Sequence, residues 1–143
     1  MQIVKLTTQN LNELVELYNQ QFGDEAWTKE QISSAFNNNS VAYYGILEGA
    51  ELVCFAGIME SLDDINLLDI ATKNGFKQKG YAKAMLRFLI ALKKENQTFS
   101  LEVKSKNLPA IKLYESFGFK TLNIRKKYYK DGDNALCMFL LAE

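Results

Sequence analysis

Histidine is absent from this sequence of 143 residues. Its absence excludes Ser-His and Cys-His nucleophilic systems and every metal site built on imidazole. The two cysteines, Cys54 and Cys137, are far apart and lie in apolar, strand-like runs, so they do not make a zinc site. We expect both to be buried free thiols, as in a cytoplasmic protein. Any acid–base chemistry must therefore be carried out by carboxylates, Tyr, Lys, Cys or water.

Net charge and long apolar runs are also lacking. Lys plus Arg number 17 and Asp plus Glu number 17, so nothing global points to nucleic acid or to a membrane surface. No apolar run reaches bilayer length, and the first residues show no signal-peptide core. We predict a cytoplasmic location with no nucleic-acid and no membrane partner. Hydrophobic residues at 48% and a single Pro favour a compact fold, and the length suits one domain over residues 1–143.

Apolar periodicity predicts the order βααβββαβαββ. After a first strand, helical spacing begins at Leu11, and Thr28 to Gln31 has the form of a capping box for the second helix. Hairpin signals come first and helix crossovers later, which indicates a mixed sheet with helices on both faces. Strands are predicted at residues 2–6, 41–47, 52–59, 65–70, 99–103, 120–129 and 135–141. The third helix is predicted to run from Gly80 to about Asn96, and Gly118 to end the fourth.

Residues 69–86 pass from an apolar strand through a lysine-rich loop into an amphipathic helix. A strand, a tight loop and a helix N-terminus make an anion site, because the first amides of a helix have no acceptor inside it. Gly75 and Gly80 have the spacing of a P-loop, but Tyr81 and Ala82 replace the Lys and Ser/Thr that nucleotide hydrolysis requires. A glycine turn with a solvated lysine rim is the alternative. The lysines concerned are Lys73, Lys77, Lys79 and Lys83.

Three segments resemble known acetyltransferases. Lys77-Gln-Lys-Gly-Tyr-Ala82 is similar to the acetyl-CoA pyrophosphate loop of the GNAT superfamily, with Lys where Gln or Arg is usual. Residues 101–107 and 110–119 resemble the bacterial ribosomal-protein-alanine N-acetyltransferases within that superfamily, and residues 123–129 extend the resemblance. Asp133 and Asn134 depart from the Glu-Asp expected there.

The resemblance implies a GNAT-like α/β (α+β) fold with a mixed, mostly antiparallel twisted sheet. It implies that acetyl-CoA, used without a metal, lies in a splay between the strand ending at Ile70 and the strand carrying Glu102. Glu102 matches the general base of the family and Tyr114 its general acid. The cofactor-binding positions implied by the same resemblance are Ile70, Ala71, Thr72, Gln78, Lys79, Gly80, Tyr81, Ala82, Lys83 and Asn107.

Ordinary pKa values limit what these two residues can do. An α-amino group near ~7.7 and a carboxylate near ~4.3 differ by about 3.4 units. Glu102 must therefore have a raised pKa, act through water or accept the proton late from a tetrahedral intermediate, and we expect the water route. The ordinary pKa of a tyrosine is ~10 and that of a thiol is ~8.5. Tyr114 is therefore as well suited to stabilise a thiolate by a hydrogen bond as to protonate it. A solvent-facing glutamate and a packing tyrosine are the structural alternatives.

The acceptor amine is predicted to be the N-terminal alanine of a small-subunit ribosomal protein. Trp27, Tyr128 and Tyr129 are candidates to line its entrance. Acidic residues around them would suit a basic peptide; these are Asp24, Glu25, Asp131 and Asp133. The alternatives are acetylation of a small amine, such as a polyamine or amino sugar, and a non-catalytic acyl-CoA-binding module.

Overall fold

The computed structural model describes residues 1–142. Its elements follow the predicted order βααβββαβαββ. The strands are β1 Gln2–Lys5, β2 Val41–Glu48, β3 Glu51–Glu60, β4 Asp64–Thr72, β5 Thr98–Lys104, β6 Lys120–Arg125 and β7 Ala135–Leu140. The helices are α1 Leu11–Phe22, α2 Lys29–Phe36, α3 Tyr81–Leu92 and α4 Leu108–Ser116. Within residues 1–142 no helix exceeds 12 residues, and none could span a membrane.

Helix α2 begins where the capping box predicts. The Thr28 hydroxyl accepts from the Gln31 amide at 3.1 Å, and the Gln31 side chain accepts from the Thr28 amide at 2.8 Å. Each bond satisfies a donor that the helix itself leaves unpaired. Gly118, after α4, has a φ of +96°, which explains why glycine follows the helix there.

The sheet has seven strands in the order β1-β2-β3-β4-β5-β7-β6. Strand pairs β1–β2, β2–β3, β5–β7 and β6–β7 are antiparallel, whereas β4 and β5 are parallel. The sheet is therefore mixed and mostly antiparallel, which confirms the predicted fold class. The parallel register joins Asp64 to Thr98 and ends at Asn66 with Ser100, although β4 continues to Thr72.

The first of two compact units contains Met1–Glu60 and Leu68–Leu92. Neighbouring residues on β2 point to opposite faces of its sheet. The ring of Tyr43 contacts Tyr18 of α1 and Phe36 of α2, with centroids 6.3 Å and 5.5 Å away. The ring of Tyr44 contacts Phe88 of α3 at 5.1 Å. Helices therefore cover both faces, as predicted.

The second unit contains Ser61–Leu67 and the chain from Lys93 onward. Its core alternates along β5, where Phe99, Leu101 and Val103 are buried. The Phe119 ring meets Phe99 edge-on at 5.5 Å and Tyr114 of α4 at 6.0 Å. This packing holds α4 beside β5. Because the chain divides into two compact units, the single domain expected over residues 1–143 stays a prediction.

Two predicted boundaries are wrong. Strand β6 ends at Arg125 rather than at residue 129, because Lys127 has a φ of +52° and its amide donates to the Asn134 side chain at 3.0 Å. That turn places Tyr128 and Tyr129 in a loop. Helix α3 ends at Leu92, and the Gln97 side chain accepts from the Lys94 amide in the turn that follows, at 3.0 Å. The prediction of free, buried cysteines is confirmed.

Leu14→Ala tests the packing of α1, because Leu14 is fully buried whereas Leu62 is 87% exposed. We expect Leu14→Ala to lower the free energy of unfolding by about 2–5 kcal/mol, from lost burial and a residual cavity. The matched Leu62→Ala should change it by less than about 0.5 kcal/mol. Chemical denaturation measures both, and equal losses would contradict the described core.

Candidate active site

The loop between β4 and α3, in the first unit, has the backbone form expected of an anion site. Gly75 and Gly80 have φ values of +90° and +87°, and a Cβ at either would meet nothing within 4 Å. Glycine is thus needed for conformation rather than for space. The first bond within α3 runs from the Ala84 amide to the Gly80 carbonyl at 2.9 Å. The amides of Tyr81, Ala82 and Lys83 therefore lack an acceptor within the helix.

The lysines of this loop are not equivalent. Lys73 forms an ion pair with Glu51 at 2.8 Å, so its charge is neutralised locally. The Lys79 ammonium lies 5.5 Å from the centre of the Phe76 ring, while Lys77 and Lys83 are exposed. Gln78 has a φ of +62°, which is uncommon for a residue other than glycine. Three lysines rather than four thus give the loop its positive charge.

The end of β4 contains the residues predicted to contact the acetyl-pantetheine arm. Ile70, Ala71 and Thr72 are half-buried. The Thr72 hydroxyl lies 3.7 Å from the Cys54 sulfur, to which it donates, and Ala71 packs against the core shared with α1 and α2. The Lys73 amide donates to the Val53 carbonyl at 2.8 Å and ties this end of β4 to β3.

Asp69, just before these residues, belongs to a hydrogen-bonded network that the sequence did not reveal. The Tyr18 hydroxyl donates to Asp69 Oδ2 at 2.7 Å, and the hydroxyls of Tyr18 and Tyr43 lie 3.0 Å apart. Tyr43 lies directly over Gly57, where an added Cβ would come within 2.5 Å of its ring. Helical spacing marks Tyr18 only as a packing residue, and no local pattern links it to a residue 51 positions away.

Burial controls the ionisation of this network. It raises the pKa of Asp69 from an ordinary 3.8 to about 6, against the opposing effect of the Tyr18 hydrogen bond. Burial also raises the pKa of Tyr43 to about 12. The pKa of Tyr18 is raised mostly by burial and to a smaller extent by the charge of Asp69. Both tyrosines therefore stay neutral around a single titrating carboxyl.

Trp27, a predicted acceptor-site residue, contacts the same network. Its ring lies almost parallel to that of Tyr18, at 8° and with centroids 6.4 Å apart, and it is half-buried. The indole is therefore positioned by the tyrosine that binds Asp69.

Glu102, in the second unit, projects from β5 on the face opposite the buried Leu101 and Val103, as expected from strand alternation. Its Oε2 atom lies 3.0 Å from Nε of Arg125 and accepts from the Cys137 thiol at 3.8 Å. The charge of Glu102 raises the pKa of Arg125. Arg125 was missed because only the pairing of β6 and β5 with β7 brings positions 125 and 102 near the same strand.

Tyr114 and Asn107 lie on and before α4, also in the second unit. Tyr114 is buried, with 5% of its surface exposed. The Asn107 side chain accepts from the Ala110 amide at 3.3 Å and caps the helix. The predicted cofactor contact of Asn107 stays a prediction alongside this capping role.

The β6–β7 loop corrects the predicted acidic surface. Asp133 is only 7% exposed and accepts from the Ser105 hydroxyl and the Lys106 amide, at 2.5 Å and 3.2 Å. These bonds, with the Ser105 bond the largest, lower the pKa of Asp133. Asp131 pairs with Lys104 at 2.8 Å. Both acids thus hold the loop together and do not contribute free negative charge.

The two aromatic residues of the same loop contact cations. The rings of Tyr128 and Tyr129 meet edge-on at 5.1 Å. Arg125 lies 5.5 Å from the centre of Tyr128, and Lys104 lies 5.1 Å from the centre of Tyr129. Within residues 1–142 no group of three His, Cys, Asp or Glu side chains could hold a metal ion.

Each unit thus contains part of the predicted set of residues. The cofactor-contact residues of β4, the loop, the start of α3 and Trp27 belong to the first unit. Glu102, Asn107, Tyr114, Tyr128 and Tyr129 belong to the second.

Residues 9–119 match the Acetyltransferase (GNAT) family. The chain belongs to this family. It is therefore an acyltransferase, as the glycine loop and the segments around Glu102 and Tyr114 predicted.

Individual relatives agree with this assignment. The [ribosomal protein bS18]-alanine N-acetyltransferase of Haemophilus ducreyi is 35% identical over 122 residues, which cover 80% of this chain and 82% of the relative. The enzyme of the same name from Escherichia coli K12 is 32% identical over 111 residues, covering 75% and 73%. The crystal structure of the ribosomal-protein-S18-alanine N-acetyltransferase from Escherichia coli superposes with a TM-score of 0.89 at 28% identity, covering 99% and 94% of the two chains.

Asp69→Asn tests the burial of charge in this acetyltransferase. Because the pKa of Asp69 is higher in the folded chain, the unfolded chain binds fewer protons between about pH 4 and pH 6, and stability falls as pH rises through that range. Relative to wild type, the variant should gain about 2.4 kcal/mol in unfolding free energy between pH 4 and pH 7.5. Urea titrations at the two pH values measure this difference. A difference that does not change with pH would contradict the buried carboxylate.

Proposed function

We propose that this chain transfers the acetyl group of acetyl-CoA to the N-terminal alanine of a small-subunit ribosomal protein in the cytoplasm. The observation that carries the proposal is the identity of 35% with the H. ducreyi enzyme of that name, spread over four-fifths of this chain. Residues 1–143 then form one catalytic domain. Neither nucleic acid nor a membrane is needed as a partner.

Acetyl-CoA is bound mainly by backbone groups of the first unit. The amides of Tyr81, Ala82 and Lys83 offer three donors at the positive end of the α3 dipole, next to the exposed Lys77 and Lys83. The pyrophosphate is the part of the cofactor that such a site suits. Gln78 to Lys83 hold it, and Asn107 contributes a further contact.

The thioester lies along the end of β4. Backbone groups of Ile70, Ala71 and Thr72 contact the acetyl-pantetheine arm and polarise the carbonyl oxygen. Amides fixed before the reaction stabilise a developing oxyanion without reorganisation. No acyl-enzyme forms, so the absence of histidine and of an activated serine does not limit the reaction.

Glu102 accepts the proton that the attacking nitrogen loses, through a water molecule. Its ion pair with Arg125 at 3.0 Å and the Cys137 thiol at 3.8 Å fix the carboxylate on the polar face of β5. A fixed carboxylate loses little entropy when the water and amine align with it.

Tyr114 stabilises the departing thiolate of CoA by a hydrogen bond from its hydroxyl. Burial of its ring against Phe119 fixes the direction in which that hydroxyl points. Neither proton transfer needs a metal ion.

The acceptor peptide contacts Trp27, Tyr128 and Tyr129. The near-parallel contact with Tyr18 holds the indole, and the tyrosine pair lies in the loop fixed by Asp133 and Asp131. Both of those acids are paired within the chain, so they hold this loop rather than attract a basic peptide.

Tyr114→Phe should lower kcat about 100-fold, because the thiolate then leaves without its hydrogen bond. The affinity for acetyl-CoA should change by less than about threefold, since backbone amides bind the pyrophosphate. Steady-state CoA release and isothermal titration calorimetry measure the two effects. Tyr44→Phe, on the opposite side of β2 from the Asp69 network, is the matched control and should retain wild-type kcat. Unchanged turnover in Tyr114→Phe would remove the residue from catalysis.

The acceptor is tested by comparing a basic peptide that starts with alanine against a polyamine and an amino sugar. We expect kcat/KM for the peptide to exceed that for either small amine by at least about tenfold. The same peptide with a blocked N-terminus is the control and should release no CoA. Equal rates with free amines would overturn the ribosomal acceptor. Acetyl-CoA binding without CoA release for any amine would indicate a non-catalytic binding module.

A further inference from the structure

One oxygen of Asp69 is not used by the protein. Oδ2 accepts from Tyr18 at 2.7 Å, and Oδ1 has no hydrogen-bond partner among residues 1–142. In that same range every buried side-chain oxygen and nitrogen has a partner. Oδ1 must therefore reach an accessible surface, which agrees with the partial burial of Asp69. The structure thus holds a carboxylate with one oxygen fixed and the other open.

No cation of the protein balances this carboxylate. None of the ion pairs among residues 1–142 includes Asp69. The titratable groups that face it are Tyr18 from α1 and Tyr43 from β2, and both remain neutral. Phe55 of β3 presents an apolar ring to both tyrosines, with centroids 4.6 Å and 6.4 Å away. An ammonium group brought by a ligand would supply the missing positive charge.

Asp69, in the first unit, lies next to a residue assigned to acetyl-CoA and is linked to one assigned to the acceptor. It directly precedes Ile70, the first of the residues assigned to the acetyl-pantetheine arm. Because side chains alternate along β4, it shares a face with Ala71, which packs against the core of α1 and α2. Through Tyr18 it is linked to Trp27, which is assigned to the acceptor.

We propose that Asp69 is a further catalytic residue, whose free oxygen binds the protonated N-terminal amine of the acceptor and removes its first proton. This role rests on the proposed function. The ammonium N–H bond breaks and an Asp69 O–H bond forms, which leaves a neutral amine. Its lone pair forms the N–C bond with the acetyl carbon as the C–S bond breaks. The second nitrogen proton passes through water to Glu102, which then returns it to solvent. The CoA thiolate, stabilised by Tyr114, takes up one proton from solvent to become the thiol. Asp69 returns its proton to solvent, so the net reaction releases one proton.

The raised pKa of Asp69 suits this step better than that of an ordinary carboxylate. Transfer from an amine near ~7.7 to a group near about 6 is unfavourable by about 50-fold. Transfer to a carboxylate near ~4.3 is unfavourable by about 2,500-fold. At neutral pH Asp69 is still mostly ionised and able to accept.

The pH dependence of kcat/KM distinguishes this role from a structural one. With Asp69 the enzyme uses the ammonium form, so kcat/KM should be nearly constant from about pH 6.5 to pH 7.5 and fall below about pH 6. Asp69→Asn must use the neutral amine, so its kcat/KM should fall about tenfold for each pH unit below about 7.7. Acetyl-CoA affinity, measured by calorimetry, should stay within about threefold and shows that the variant is folded.

Two further variants complete the test. Tyr18→Phe removes the hydrogen bond that lowers the pKa of Asp69, so the acidic fall should move to higher pH while activity at pH 8 is retained. Asp64→Asn is the matched control, because it makes the same change on the same strand beside Ser100, and it should keep the wild-type profile. A wild-type profile in Asp69→Asn, or an unmoved fall in Tyr18→Phe, overturns the role.

The same measurements distinguish an error in the acceptor assignment from an error in the role of Asp69. If wild type releases CoA faster with small amines than with the alanine peptide, the ribosomal acceptor is wrong, and the same profiles measured with that amine decide the role of Asp69. If the peptide is preferred and Asp69→Asn matches wild type, the proposed function stands and the role of Asp69 falls.

Discussion

The hydrogen bond from Tyr18 to Asp69 joins α1 to β4, and the contact between the Tyr18 and Tyr43 hydroxyls adds β2. Three elements of the first unit therefore meet around one partly buried carboxyl. Burying that carboxyl reduces stability at neutral pH, since its pKa rises to about 6. Natural chains tolerate such a cost mainly where the group has a function. The strand that carries Asp69 continues directly into the residues assigned to the cofactor.

Because the chain has no histidine, carboxylates are candidates to carry its acid–base chemistry, and two of them lie in different environments. Asp69 is surrounded by neutral tyrosines and has no counter-ion among residues 1–142, whereas Glu102 is paired with Arg125. Environments that differ in this way allow two carboxylates to take different protons in one reaction. In the proposed reaction, Asp69 takes a proton before the attack and Glu102 takes one during it.

The sequence predicted the element order, the fold class and the family, because these depend on local patterns and contiguous motifs. Gly80 and the segments around Glu102 and Tyr114 are examples. Contacts across the chain could not be read from it. Arg125 reaches Glu102 through the pairing of β6 and β5 with β7, and Tyr18 meets Asp69 only after folding. The same limit explains why Asp131 and Asp133 were expected to be free surface acids.

Mass spectrometry of ribosomal protein N-termini from a strain that lacks this chain tests whether the chain acetylates a ribosomal protein. We expect one small-subunit protein to lose its acetylated N-terminal alanine in that strain. Wild type should restore the modification, and Tyr114→Phe should not. Unchanged N-termini in the deletion strain would contradict a role in ribosomal protein acetylation.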